Sequence, residues 1–320
     1  MTKRLGCLGV ILLVVAAIWS FSAWRGSGPA ETALRVSIPE GASLRSAARV
    51  LAEKGAIRSA TGFVRLAKVF GGGEAIKSGE YRFKAHESAA DILTQLQGGK
   101  TVQQLVTIPE GMPSVMVRDR LMAEKDLIGE VPVPTEGSVL PDSYAFDAGE
   151  TRAAVLKRMQ AAMTKTLAEL WDARDASTVA KSPEQAITLA SIVEKETALA
   201  SERPLVAGVY SNRVRRGMKL QADPTVIYPV TKGRPLGRRI RKSELAADNG
   251  YNTYLKPGLP AGPIANPGKA SIAAVLNPAE TKALFFVANG KGGHVFSETN
   301  EGQNANVQKW FALRRARGEM

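Results

Sequence analysis

Apolar positions recur along this chain with spacings that predict a membrane helix, short strands and amphipathic helices. The longest apolar run extends from Leu5 to Trp24 without a charge. As a helix rising about 1.5 Å per residue, it would cross a hydrocarbon core roughly 30 Å thick. Lys3 and Arg4 precede it, which favours a cytoplasmic amino terminus, and Trp19 and Trp24 suit the outer interface. A cleaved signal peptide is the rival reading, because small residues follow between Ser20 and Ala30. The run is long for that role and lacks a clean A-x-A site. Either way the body of the protein is exported.

After a Gly/Ser/Pro linker from Arg25, strand-like alternation marks Leu34 to Ile38. A helix starts at Ser43 with Leu44, Ala47, Val50 and Leu51 on one face, and a second spans Ala60 to Phe70. Ser88 caps a third, ended by Gly98-Gly99. The opening pattern then returns: Val106-Thr-Ile-Pro-Glu-Gly111 echoes Val36-Ser-Ile-Pro-Glu-Gly41, and each copy leads into a helix ending in Ala-Glu-Lys. Two copies do not make a solenoid. They read as two strand-turn-helix units, with a domain boundary between Gly99 and Gln104.

From residue 151 the pattern becomes helical. Thr151 to Trp171 reads as one long helix. Ser182 caps the next, with Pro183 at its first position and Gln185 completing a capping box, and that helix runs to near Ala200. Another follows from Ser201 to Arg216. Pro224 to Gly268 is dense in Gly and Pro and reads as loops, before a helix near Ala270 to Leu276, a strand at Ala283 to Val287 and a terminal helix from Asn304.

The chain of 320 residues is 44% hydrophobic, which allows two domains with real cores. Its net charge of +13 implies an anionic environment: a membrane surface, an acidic wall polymer or nucleic acid. No helix-turn-helix, zinc-finger or RRM pattern accompanies the charge, so nucleic acid is not the expected partner. Cys7 alone supports neither a disulfide framework nor a cysteine metal site. His294 sits in a Gly-rich turn without partner ligands, so no metal is expected and no cofactor is implied.

The candidate chemistry centres on Glu194, in Leu189-Ala-Ser-Ile-Val-Glu-Lys-Glu-Thr197. Its neighbours at three and four residues are Ala190, Ser191, Thr197 and Ala198, small groups that leave a groove beside the carboxylate. Burial there would disfavour ionisation and suit a proton donor. Glu196 lies about 200° further round the helix, so the two do not form a pair, and Lys195 and Glu196 are expected at solvent or in local ion pairs. Gln221, Asp223 and Tyr228 in one loop, and Asn252 and Tyr254 in another, mix aromatics with amides in the manner of a sugar site. Asp223 either assists catalysis or caps its own Asp-Pro-Thr turn.

Five segments in order, Leu189 to Thr197, Gln221-x-Asp-Pro-Thr-Val-Ile-Tyr228, Tyr251-Asn-Thr-Tyr254, Gly258-Leu-Pro-x-Gly-Pro-Ile264 and Gly292-Gly-His-x-Phe296, resemble the YceG-like endolytic murein transglycosylases. Glu136 to Tyr144 resembles a further family segment, with Ser138 and Val139 replacing an aromatic and aliphatic pair. The resemblance implies an α+β protein: a cytoplasmic tail (1–4), a single transmembrane helix (5–24), a linker (25–32), a LysM-like domain (33–104) and a mainly helical catalytic domain (105–320). It implies Glu194 as the catalytic acid; Gln221, Asp223, Tyr228, Asn252 and Tyr254 are expected from their loop chemistry as glycan contacts. The implied activity is that of a lyase at the inner membrane. It cleaves the MurNAc-β-1,4-GlcNAc bond of peptidoglycan with 1,6-anhydro ends, working beside penicillin-binding synthases and terminating nascent strands. A muramidase that uses water and a non-catalytic wall scaffold are the alternatives.

Overall fold

The computed structural model describes residues 2–71, 73–99 and 104–319, with side chains from residue 14 onward. The chain divides into two compact units, Met1–Leu105 with Ala145–Glu150, and Val106–Tyr144 with Thr151–Met320.

The first unit begins with helix α1 (Thr2–Arg25), followed by β1 (Leu34–Ile38), α2 (Leu44–Glu53), α3 (Ala60–Phe70), β2 (Gly79–Phe83) and α4 (Ala89–Gly98). Ser43, Ser59 and Ser88 cap α2, α3 and α4, each hydroxyl accepting from the N–H three residues on. Gly99 ends α4 with φ 67°, a left-handed conformation in which a Cβ would be strained. β1 and β2 pair antiparallel, with Val36 opposite Tyr81. Alternate residues Val36, Ile38, Tyr81 and Phe83 enter a core completed by Leu51, Phe63, Ile92, Leu93 and Leu96. The Tyr81 hydroxyl is satisfied inside that core, donating to the Lys77 carbonyl at 2.7 Å.

One expectation changes in this unit. Trp24, expected at a membrane interface, is 3% exposed and packs on Phe63 (ring centroids 5.8 Å) within the core. Among the described residues no helix is long and apolar enough to cross a membrane. The side chains of residues 5–13, the first part of the expected span, lie outside the described residues, as does most of the expected junction between 99 and 104.

The second unit holds β3 (Gln104–Thr107), α5 (Ser114–Ala123), β4 (Ser143–Phe146), α6 (Arg152–Asp172), α7 (Pro183–Glu196), α8 (Arg203–Arg215), α9 (Asp223–Thr231), α10 (Lys242–Leu245), α11 (Lys269–Leu276), β5 (Phe285–Ala288), β6 (His294–Ser297) and α12 (Asn300–Ala316). β3 and β4 pair with each other, and β5 pairs antiparallel with β6. The centre of the unit is α7, buried at every position from Ala186 to Val193 and packed between α6, α8 and α11. A helix apolar on all sides has nowhere to sit but the core.

Polar groups in that core are paired. Ser191 donates to the Thr188 carbonyl at 2.7 Å and accepts from Ile264 N at 3.0 Å, pinning the Gly/Pro-rich segment to α7. Asn266, fully buried, donates to Met112 O (2.9 Å) and accepts from Val139 N (3.0 Å). This stretch of the Gly/Pro segment is therefore internal bracing.

Three local expectations are also corrected. Gln185 accepts from Lys181 N at 3.0 Å rather than from the Ser182 N–H that a capping box requires. Residues 223–231, read as loop, form α9, because Pro224 falls in the first turn, where no intrahelical N–H is needed. Finally, α7 ends at Glu196 rather than near Ala200. Thr197 turns extended (φ −139°, ψ 132°), and its hydroxyl accepts from Leu199 N and donates to Glu202.

Candidate active site

The exit of α7 from the core places two glutamates two residues apart on opposite sides of the helix. The Glu194 side chain is 5% exposed and both its oxygens are occupied. Oε1 accepts from Arg203 Nη2 at 3.1 Å, and Oε2 accepts from Gly268 N, just before α11, at 2.9 Å. The same Arg203 nitrogen donates to Glu110 Oε2 at 2.7 Å, so one guanidinium, itself 11% exposed, bridges two carboxylates. A Cβ at position 268 would overlap the Glu110 carboxylate, so a larger residue there would have to displace that side chain. Glu194 thus sits in a closed ion-pair cluster rather than beside the groove its small neighbours predicted.

Glu196 faces the other way and is partly buried, not solvent-facing as its helical position suggested. It lies in a cavity of about 220 Å³ lined also by Tyr210, Arg213, Leu220, Gln221, Asp223, Tyr254 and Phe286. Burial pushes its carboxyl up to about 7, and the Asp223 charge adds to the rise; the Tyr210 hydroxyl and Arg213 oppose it without cancelling it. Arg213 is held rigidly: Nε donates to Leu284 O and Nη1 to Leu220 O, both at 2.7 Å, and its guanidinium lies over the Phe285 ring at 5.2 Å. Tyr210 packs edge-on against Phe286 at 5.9 Å, and burial beside Glu196 raises its hydroxyl well above the usual phenol range.

The sequence-predicted residues divide between this cavity and its supports. Gln221, Asp223 and Tyr254 line the cavity. Tyr254 donates to Asp223 Oδ1 at 2.6 Å, so Asp223 faces the cavity mouth, while Ala222 takes the N-cap position of α9 without a side-chain cap. Gln221 takes φ 54°, a left-handed conformation that costs a non-glycine residue about 1 kcal/mol, and its N–H is fixed on Thr253 O at 3.1 Å.

Asn252 is buried and supports the site from behind. Its Nδ2 donates to Leu245 O (2.9 Å) and Ala247 O (3.1 Å), and its Oδ1 accepts from Tyr254 N (3.0 Å). Tyr228 belongs to a different cluster, bonding Glu136 and packing on Tyr251 at 5.0 Å. His294 donates its backbone N–H and places Nδ1 against Glu202, both at 2.7 Å, and its ring meets Phe286 at 5.2 Å. Among the described residues no group of three His, Cys, Asp or Glu side chains could hold a metal ion.

A buried carboxyl poised near neutrality, a second carboxylate at the mouth, and aromatic and amide groups around them are an arrangement capable of general acid-base chemistry on a polar substrate. Comparison with known proteins bears on which substrate. The family described as YceG-like matches residues 36–309.

The chain belongs to the YceG-like family.

Relatives include the endolytic murein transglycosylase of Bacillus subtilis (strain 168), 26% identical, covering 88% of this chain and 86% of that protein. The endolytic murein transglycosylase of Streptococcus pneumoniae (strain D39) is 28% identical over 83% of this chain, which spans 56% of that longer protein. A crystal structure of the yceG-like protein lmo1499 from Listeria monocytogenes superposes with a TM-score of 0.53 at 28% identity, covering 86% of this chain and 99% of that one.

In this YceG-like chain Glu196, Tyr210 and Arg213 line the cavity although their sequence positions alone do not place them in a site. Two signals were available. The uncharged stretch Ala186 to Val193 implies a helix with no solvent face, and Glu196 comes immediately before the Thr that ends it.

Proposed function

We propose that this YceG-like protein is a lytic murein transglycosylase with Glu196 as its acid. One observation carries this reading: Glu196 lies in a cavity with Gln221, Asp223 and Tyr254, its carboxyl pushed up to about 7. Protonated, it donates to the glycosidic oxygen as the C1–O bond breaks. As a carboxylate it then takes the proton of the muramyl C6 hydroxyl while that oxygen closes onto C1, giving a 1,6-anhydro end and restoring the acid. The nucleophile is internal, so one carboxyl serves both halves. A hydrolase instead needs a second group to supply or activate a nucleophile. Asp223 stabilises the positive charge that develops at C1, and Tyr254 fixes its orientation.

Glu194, with both oxygens engaged, holds α7, α8 and the start of α11 in register, and Asn252 and Tyr228 act as supports. The names of the relatives support the murein substrate. We further propose that α1 anchors the chain in the membrane, with the cytoplasmic tail at 1–4, and that residues 33–104 form the LysM-like domain, whose β1–α2–α3–β2 order supports that reading. Residues 105–320 then form the catalytic domain outside the membrane, beside the peptidoglycan synthases.

Muropeptide mass spectrometry of digested peptidoglycan tests the assignment. Wild type is expected to yield anhydro ends, Glu196→Gln to lose them by at least 10²-fold, and Glu194→Gln to retain them. Loss with Glu194→Gln and retention with Glu196→Gln would reverse the two roles. Reducing ends would identify a muramidase, and no cleavage by wild type a scaffold.

A further inference from the structure

Helices α2 and α3 of the first unit enclose a groove of about 710 Å³ whose lining includes Arg45, Arg49, Arg65 and Lys68 and no carboxylate. The nearest acid on α2 is Glu53, which meets Arg49 at 3.9 Å with both side chains largely exposed, a contact too solvated to neutralise the groove. Four cations around one cavity repel one another, and nothing in the fold of this unit requires them there. Their chemistry fits phosphate oxygens.

The apolar surface next to this groove identifies the source of the phosphate. One residue beyond Lys68, Val69 is 72% exposed and Phe70 is 41% exposed, while Phe63 and Ala67 of the same helix face the core. Phe70 packs edge-on against Phe21 of α1 at 6.2 Å and stacks on Trp24 at 6.3 Å. The α3 tip therefore touches the last turns of α1, and upstream on α1 Val14, Val15, Ile18 and Trp19 are largely exposed. Cations followed by exposed apolar side chains, beside an uncovered apolar helix, match the headgroup and upper acyl region of a bilayer. An acidic wall polymer would pair with the cations but leave Val69 and Phe70 in water.

We infer that the α2–α3 groove of the first unit docks on the headgroups of anionic phospholipid, with Val69 and Phe70 entering the interface. This rests on the proposal that α1 is membrane-anchored. Docking would add a second contact with the bilayer to that of α1, to which the first unit is already joined through Trp24 and Phe70.

The full chain has a single cysteine, Cys7, so a Cys7→Ser, Val69→Cys variant carries one nitroxide at the α3 tip. It is compared in vesicles of phosphatidylcholine alone and of phosphatidylcholine with phosphatidylglycerol, with flotation reporting association. The docking predicts a several-fold higher ratio of oxygen to nickel-chelate collisions at position 69 in the phosphatidylglycerol vesicles. Raising the salt should abolish the difference, as should the added changes Arg45→Gln, Arg49→Gln, Arg65→Gln and Lys68→Gln, each cation contributing about fivefold in attraction to the surface.

Equal ratios in the two lipids, or an unaltered ratio in the four-Gln variant, would overturn the inference. So would binding of inorganic phosphate that needs the four cations but comes with no lipid dependence at position 69. Flotation with phosphatidylglycerol vesicles only would refute the α1 anchor and uphold the docking, whereas flotation with neither would refute both.

Discussion

Replacing Glu196 by Gln removes an ionisable group from the cavity while keeping its shape and its capacity to accept from Tyr210. A carboxyl moved from 4.5 to about 7 binds its proton more tightly in the folded chain than in the unfolded one. At about 1.4 kcal/mol for each tenfold change in proton affinity, ionising Glu196 in place costs roughly 3 kcal/mol. The sign follows from the raised value. Below pH 4.5 both states are protonated and the stability is fully present. As pH rises towards about 7 the unfolded state sheds a proton that the folded state keeps, so stability falls; above 7 the whole cost is incurred. Gln has no such term. Calorimetric or urea unfolding of the full chain at pH 4, 6 and 8 should therefore find Glu196→Gln gaining on wild type by about 3 kcal/mol between the extremes. The activity of wild type should fall about tenfold per pH unit above 7 over the same range, as the acid is lost. A stability difference between the two proteins that is flat from pH 4 to 8 would refute the buried, protonated Glu196.

Three further substitutions probe the surroundings. Arg203→Met strands the buried Glu194 carboxylate and should destabilise the fold by roughly 3–5 kcal/mol, read as a lowered unfolding midpoint. Ser191→Ala leaves Ile264 N–H without its buried partner and should cost about 1–3 kcal/mol by the same measurement. Tyr254→Phe removes the 2.6 Å bond to Asp223 at the open cavity mouth, so kcat/KM on peptidoglycan should drop about tenfold with the unfolding midpoint unchanged. Unchanged activity would exclude Tyr254 from positioning Asp223.

Much of the local structure was legible because it is written in caps and breakers. Ser43, Ser88, Thr151 and Ser182 each start a helix where the sequence placed them, since a side-chain oxygen taking an N–H three residues on is a local decision. What was not legible depended on distant partners. Trp24 reads as an interface tryptophan until Phe63, far along the chain, packs against it. Asn252 reads as a sugar-binding amide until the Leu245 and Ala247 carbonyls take its hydrogens. The 220–228 segment reads as loop from its proline, although a proline in the first turn of a helix costs nothing.

The two glutamates of α7 illustrate the same point at the site itself. Glu194 and Glu196 lie about 200° apart round the helix, so a helix with a solvent face can bury only one of them. Burial of every residue from Ala186 to Val193 removes that assumption: the body of the helix has no solvent face, and in its last turn only Lys195 is exposed, with Glu194 and Glu196 both partly buried. What then separates the two acids is the charge each meets. Glu194 meets a guanidinium and a backbone N–H, which satisfy both oxygens and close the site around them. Glu196 meets a phenol, an arginine already committed to two carbonyls, and the like charge of Asp223, around a cavity open to a ligand. A proton donor needs a raised proton affinity and a path to its acceptor, and the second environment supplies both.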